Sequence, residues 1–316
     1  TRPVGLCRRG RARDITSGMN RSEMKGHLLL DSVATLSTFV KDRLRAAGLA
    51  TSALDARLII MRATGLTHEE LIAGSGTTVL PEARVKIMDM VRRREGGEPV
   101  SRIIGEREFY SRSFALNKGT LDPRPDTETL VDAALGVLRE QPGQAWRIAD
   151  LGTGSGAVII TLLAEMPGAA GVGTDLCATA LNAAGLNALR HKVASRVELI
   201  EGSWFETLSG TFDLIVSNPP YIASGAIAFL PREVKLHDPH RALDGGQDGL
   251  SAYRAIAQGV RRHLRIGGHL CIEIGRGQEG AVGAIMGGGG LRPAQRHPPV
   301  TADLSGTPRV LTFVNA

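Results

Sequence analysis

From Arg147 onward the chain alternates short apolar runs with longer stretches of helical period, and that alternation restricts the fold more than any other feature. The runs Arg147–Leu151, Ala170–Asp175, 197–200, Phe212–Ser217 and 269–274 each have strand length, and 157–165, 178–190 and 251–265 read as helices between them. Parallel neighbours need a crossover, usually a helix, so the pattern predicts an α/β fold with a mostly parallel, doubly wound, Rossmann-like sheet. Residues 309–314 read as a last strand and 287–290 as a flexible loop. Open sheets of this kind bind ligands beyond the carboxyl ends of their strands. The residues that follow the runs are therefore the candidates for chemistry.

The first run ends in Asp150-Leu151-Gly152-Thr153-Gly154-Ser155-Gly156, directly before a helical stretch. Three glycines in five positions let the backbone turn tightly and approach a ligand. Asp175 closes the second run, where a carboxylate can accept both ribose hydroxyl protons of a nucleoside. Two ligands fit. Read through Gly152, Gly154 and Ala157, the loop admits a dinucleotide such as NAD. Read with Asp150, it suits S-adenosylmethionine, whose cationic amino-acid end a carboxylate would attract. Asp150 holding the loop by hydrogen bonds is compatible with either.

The run Phe212–Ser217 ends in Asn218-Pro219-Pro220-Tyr221. Two prolines neither continue a strand nor enter a helix interior, so the chain must turn rigidly there. An amide, free backbone carbonyls and a flat ring at a strand end suit a planar nitrogen-bearing group. A plain proline-rich turn would use the same letters.

The net charge of +6 is concentrated at one end. Residues 1–25 hold seven basic and two acidic residues, which leaves +1 for residues 26–316. The body is therefore nearly neutral and gives little support to nucleic-acid binding. The first 27 residues lack helical periodicity and an apolar signal core, and read as a basic, disordered leader with Met19 or Met24 as alternative starts. No apolar run reaches the roughly 18 residues of a membrane span. Cys7, Cys177 and Cys271 show no metal-ligand spacing, and the histidines form no H-x-x-x-H pair, so no metal is expected and a reduced, cytoplasmic protein is.

Residues 28–103 read as a small helical bundle that binds a partner or packs on its neighbour. Val33, Leu36, Val40 and Leu44 recur at helical spacing; Thr67 and Glu70 have capping-box spacing; Pro81 suits the first turn of a fourth helix with Val85, Met88 and Val91 on one face. Residues 104–121 read as a hairpin linker that opens a catalytic domain running to 316.

The glycine loop together with Asn218-Pro219-Pro220-Tyr221 resembles class I methyltransferases that act on an amino group conjugated to a planar system. Gly105-Glu106-Arg107-Glu108-Phe109-Tyr110, Pro123-Arg124-Pro125-Asp126-Thr127-Glu128, Ser203-Trp204-Phe205 and Ala242-Leu243-Asp244-Gly245-Gly246 resemble the PrmC/HemK family. That resemblance covers nearly everything from residue 28 on. It implies a protein-glutamine N5-methyltransferase that uses S-adenosylmethionine and modifies the Gly-Gly-Gln glutamine of class I peptide chain release factors in translation termination. It makes residues 28–103 a substrate-recognition domain, and a monomer adequate. It implies that Gly152, Thr153, Gly154, Ser155 and Gly156 hold the methionine end of the cofactor, Asp175 its ribose and Trp204 its adenine. Asn218, Pro219, Pro220 and Tyr221 would face the glutamine. Asn218 Oδ1 and the Pro219 carbonyl would take its two N–H bonds, and Tyr221 would stack on the amide. Phe109 or Tyr110 would either help close the pocket or simply pack the hairpin.

Asp122 departs from the family pattern, which has an apolar residue before the Pro-Arg-Pro run, and puts an extra charge there. The chain also carries Gly245-Gly246-Gln247, which copies the substrate motif in letters and reads either as a self-methylation site or as a loop of small residues. DNA adenine methylation would need a basic groove and a base-reading domain. An NAD oxidoreductase would need a proton relay, and none is evident. A silent binding scaffold would not need loop, acid and tetrapeptide together.

Overall fold

The computed structural model describes residues 32–74, 76–141 and 143–316, so the basic leader lies outside the described residues. The chain divides into two compact units between Gly96 and Gly97.

The first unit contains α1 (Val33–Ala46), α2 (Ser52–Thr64), α3 (His68–Ala73) and α4 (Pro81–Glu95). Val33, Leu36, Val40 and Leu44 form the buried stripe of α1 that their spacing predicts. Thr67 and Glu70 make the reciprocal capping box, and Pro81 opens α4. The inward face of α4 differs from the expected one. Ile87, Val91 and Arg94 are buried, while Val85 is 71% exposed, because 87, 91 and 94 follow the i, i+4, i+7 stripe and 85 does not. Arg94 meets the buried Asp55 of α2 at 2.6 Å.

The second unit opens with α5 (Val100–Ile104) and the antiparallel hairpin β1 (Glu106–Phe109) and β2 (Arg112–Ala115). Tyr110 and Ser111 turn the hairpin with positive φ, and Phe109 packs edge-on to Phe114. Asp122 is buried beside them. It accepts a hydrogen bond from Ser101 and lies 3.6 Å from Arg107 Nε, so its extra charge is neutralised locally. Pro125–Thr127 form a 3-10 turn into α6 (Glu128–Leu138).

The sheet contains β3 (Arg147–Leu151), β4 (Ala170–Asp175), β5 (Val197–Glu201), β6 (Phe212–Ser217), β7 (Leu264–Glu273), β8 (Arg292–Pro293), β9 (Val300–Ala302) and β10 (Pro308–Val314), interleaved with α7 (Ala157–Glu165), α8 (Ala178–Arg190), α9 (Arg232–His237), α10 (Ser251–His263) and α11 (Glu279–Gly288). Its order is β5-β4-β3-β6-β7-β10-β8, with β9 beside β10. The first five are parallel, and β10 runs antiparallel to β7. Alternate residues feed two cores: Ile148, Leu214 and Val216 join α6 and α7, while Ala149, Leu151 and Ile215 join α10 and α11.

Two expectations change. β7 begins at Leu264, directly after α10, five residues before the predicted strand start. Gly287 and Gly288 close α11 instead of forming a loop, and a side chain at Gly289 would stand 2.8 Å from the Ala257 carbonyl. From β3 the chain builds outward through β4 to β5, then crosses to β6 on the other side of β3. The order therefore reverses between β3 and β6, which puts the glycine loop and Asn218 at one switch point.

Candidate active site

The loop after β3 is shaped by glycines with φ of +74° at Gly152, +57° at Gly154 and +77° at Gly156. The left-handed backbone at Gly156 suits glycine, and a side chain there would also crowd Ile160 of α7 and stand 3.2 Å from the Ala184 Cβ of α8. Gly152 and Thr153 both donate their N–H to the Thr174 carbonyl of β4, which ties the loop to the neighbouring strand.

Asp150 is 2% exposed. It accepts from Thr153 Oγ1 at 2.7 Å and from the Ile159 N–H in the first turn of α7. It thus holds the loop, as one sequence reading allowed. Burial outweighs those hydrogen bonds and pushes its carboxyl up to about 7. Asp175 accepts the Gly154 N–H at 2.9 Å and the Cys177 N–H at 2.8 Å. Burial raises its pKa too, while the two N–H groups and the Arg241 charge pull it down.

Trp204 has a left-handed backbone, φ +45°, and its carbonyl receives Thr174 Oγ1 at 3.3 Å. That conformation is costly for a bulky residue and persists only where its surroundings enforce it. It turns the indole toward Gly152, whose missing Cβ would lie 3.9 Å from the ring.

These groups line one cleft of about 1020 Å³ including its open mouth, within the size range of small-molecule sites. Asp150, Gly152, Thr153, Gly154, Ser155, Asp175, Trp204, Asn218 and Pro220 all reach it. Gly156, Pro219 and Tyr221 do not line it: Gly156 is the N-cap of α7, Pro219 is buried, and Tyr221 packs on the second core. Phe109 and Tyr110 are also absent, since Phe109 is buried in the first core and the Tyr110 hydroxyl bonds Asp132 at 2.9 Å. The hairpin-packing reading of that pair is the one the structure bears out. Leu121, Thr127, Leu176 and Arg241 line the cleft and were not anticipated as site residues. Thr127 lies inside the rigid Pro-Arg-Pro-Asp-Thr-Glu segment, which was the available signal; Leu176 and Arg241 carried none.

The Asn218 amide has a fixed direction. Its Nδ2 donates to Thr127 Oγ1 at 3.0 Å, and its Oδ1 accepts no hydrogen bond among the described residues. The Pro219 carbonyl is also without a hydrogen-bond donor among the described residues. Two acceptors on consecutive residues at the strand end thus lack a donor among the described residues, matched in number to a group with two N–H donors. The Tyr221 hydroxyl donates to Glu273 Oε1 at 3.4 Å, and its pKa is pushed up, first by burial and then by that carboxylate.

The donor set fits a nucleoside with a cationic amino-acid arm. Asp175 offers carboxylate oxygens at the end of β4, Trp204 offers a flat face, and Asp150 opposes a pyrophosphate and favours a cation. Among the described residues no three His, Cys, Asp or Glu side chains gather as a metal site, and no helix is long and apolar enough to cross a membrane.

Two family models match the chain: a PrmC N-terminal domain over residues 36–105 and a methyltransferase small domain over 127–234. Release factor glutamine methyltransferase of Agrobacterium fabrum is 46% identical over 276 residues, covering 86% of this chain and 94% of the relative. The Bradyrhizobium diazoefficiens protein of the same description is 46% identical over 271 residues, covering 85% of this chain and 90% of the relative. Among solved structures, the hMettl16 catalytic domain in complex with MAT2A 3'UTR hairpin 6 superposes with a TM-score of 0.51 at 16% identity. It covers 76% of this chain and 85% of that one, a likeness of fold.

Proposed function

The chain belongs to the release factor glutamine methyltransferase family, and from that membership and the site we propose that it methylates the Gly-Gly-Gln glutamine of class I peptide chain release factors at the side-chain nitrogen, with S-adenosylmethionine as donor. The observation that carries the reading is the pair of unmet acceptors, Asn218 Oδ1 and the Pro219 carbonyl, in the turn beside the cleft shaped by the glycine loop and Asp175.

S-adenosylmethionine, when bound, supplies a methyl group made electrophilic by its sulfonium. Gly152, Thr153, Gly154, Ser155 and Gly156 would hold its amino-acid end beside the Asp150 carboxylate. Asp175 would accept from the ribose, and Trp204 would cover the adenine. Arg241 and Leu176 stand at the same rim.

A glutamine nitrogen is a weak nucleophile because its lone pair is delocalised into the carbonyl. Asn218 Oδ1 and the Pro219 carbonyl would accept hydrogen bonds from its two N–H groups, hold the nitrogen in line and stabilise the positive charge that develops on it. Tyr221 would stack on the amide plane from outside the cleft lining. Orientation of this kind is worth roughly 7–11 kcal/mol in the best intramolecular systems. Each acceptor aimed at developing charge adds on the order of 3 kcal/mol by analogy with oxyanion sites. No strong general base is required, because the product ammonium-like nitrogen is acidic and loses its proton readily.

The test offers labelled S-adenosylmethionine to a class I release factor, to the same factor with its Gly-Gly-Gln glutamine changed to alanine, and to DNA. Label is expected in the first alone. Label in DNA with none in the release factor would overturn the assignment. A cytoplasmic location follows from a substrate that works on the ribosome.

A further inference from the structure

The end of β7 holds a carboxylate that the mechanism above does not use. Glu273 is 1% exposed, and its Oε2 has no hydrogen-bond partner of normal geometry among the described residues. It meets the Asn218 turn directly at Tyr221 and, through Thr127, at Asn218. Tyr221 donates to its Oε1, and the Thr127 hydroxyl, which accepts from Asn218, faces the same carboxylate. Gln278 fastens the turn from the other side, donating to the Tyr221 carbonyl at 3.0 Å.

The direction of these hydrogen bonds follows from what each group can do. A threonine hydroxyl has one proton and can accept as well. An ionised carboxylate only accepts, so it draws the Thr127 proton and leaves the Thr127 lone pairs to Asn218 Nδ2. A protonated carboxyl can instead donate to Thr127 Oγ1 and compete with Asn218 for it. Without Thr127 Oγ1 as the acceptor of Nδ2, the Asn218 amide loses its reason to keep Oδ1 outward.

We propose that Glu273 is a positioning residue for methyl transfer: ionised, it orients the Thr127 and Tyr221 hydroxyls so that Asn218 keeps Oδ1 toward the substrate amide. The proposal rests on the reading of Asn218 as the group that receives that amide.

Several groups set the balance between the two forms of Glu273. Burial pushes its carboxyl up to about 7, while Thr127, Arg309 of β10 and Tyr221 pull it down and Asp126 of the 125–127 turn pushes it up again. Tyr253 of α10 donates to the Glu273 backbone carbonyl at 3.1 Å, and Arg309 is itself tied to Asp303 and Asp126. The charged form, and with it the turnover, should therefore rise as pH increases through about 7. Asp150 is pushed to the same region, so the pH profile of the wild type alone does not separate the two.

The experiment compares wild type, Glu273→Gln, Thr127→Val and Thr127→Ser in methylation of a class I release factor between about pH 5.5 and 9. Calorimetry measures cofactor affinity, and nitrogen-15 spectra follow the Asn218 side-chain amide. Glu273→Gln should lower kcat about tenfold or more, leave KM for the release factor and cofactor affinity within about threefold, and lose the Glu273 part of the acid limb. Thr127→Val should do the same, and Thr127→Ser should restore turnover. In the wild type the Asn218 amide signal should titrate near 7 and should stop doing so in Glu273→Gln. Wild-type kcat and an unchanged acid limb in Glu273→Gln would overturn the proposal, as would an Asn218 amide indifferent to pH. A wild type that methylates no release factor would refute the functional reading, and the amide titration would still decide the role of Glu273.

Discussion

Replacing Asp150 by asparagine should make the ligand-free protein more stable at pH 8 and less able to hold its cofactor. The carboxyl is buried, and its pKa is raised from 3.8 to about 7. The unfolded chain keeps the ordinary value, so between those two values the folded state binds the extra proton. The contribution of this group is thus fully present below about pH 4 and declines as pH rises from there, by up to about 1.4 kcal/mol per unit, to a loss on the order of 4 kcal/mol by pH 7. Above that it is flat. The amide of Asp150→Asn can still accept from Thr153 and the Ile159 N–H through Oδ1, yet never ionises. Urea unfolding of both ligand-free proteins from about pH 5 to 8 should show a stability gap in favour of the variant that widens up to about pH 7. Glu273 shifts in the same sense but is present in both proteins, so it cancels in the difference. A bound ammonium reverses the preference, because it stabilises the charged carboxylate. Cofactor binding to the wild type near pH 7 should therefore release protons, read by calorimetry in buffers of different ionisation enthalpy. Asp150→Asn should bind at least about tenfold more weakly and release fewer. Parallel stability curves with equal proton release would show that Asp150 titrates alike in folded and unfolded chains and is not the partner of the cation.

Other substitutions separate binding from turnover. Asn218→Ala should leave cofactor affinity largely intact and cut turnover at least about a hundredfold, with near-normal release-factor methylation ruling the role out. Asp175→Ala removes the acceptor of the Gly154 and Cys177 N–H groups and should weaken cofactor binding about tenfold or more; an unchanged calorimetric affinity would remove Asp175 from the site. Gly245→Ala places a methyl 2.8 Å from the Pro220 carbonyl and should slow turnover about tenfold or more while cofactor affinity holds within about threefold, whereas equal loss of both would locate the damage elsewhere.

The strand ends were legible because each joins a strong local signal to a short one. Arg147–Leu151, Ala170–Asp175 and Phe212–Ser217 begin and end where the apolar runs do, since glycine, acid or proline stops each run. The start of β7 was not legible, because Leu264 continues an apolar spacing that serves α10 equally well. The two- and three-residue strands β8 and β9 are too short to carry a period. In the site, glycines, acids and prolines at strand ends could be found, while an apolar neighbour such as Leu176 and the residues brought from a distance could not. Thr127 bonds Asn218 across 91 positions, and Glu273 reaches Tyr221 across 52. Nothing local announces either contact. Tyr221 stands outside the cleft lining although Pro220 before it enters the cleft, because its hydroxyl is drawn back by a carboxylate on another strand.

The Gly245-Gly246-Gln247 segment shows how far letters mislead without sterics. Its first glycine is buried against the Pro220 carbonyl, where a methyl would come within 2.8 Å, and its second has φ +86° and lies against Ser251. Gly249 two positions past Gln247 is held as closely, with a methyl 2.5 Å from the Tyr221 carbonyl. The Gly245 N–H donates to the Ile222 carbonyl and the Ser224 N–H to the Gly246 carbonyl, so this loop is a backbone brace laid along the chain leaving Asn218-Pro219-Pro220-Tyr221. Both glycines are thus required by the brace. Gln247 is exposed, and its neighbours' backbone is committed to the turn it supports. To reach Asn218 of its own molecule, the loop would have to leave the turn that orients Asn218. Methylation of Gln247 within one molecule would therefore dismantle the site that performs it, and a small-residue loop accounts for the coincidence.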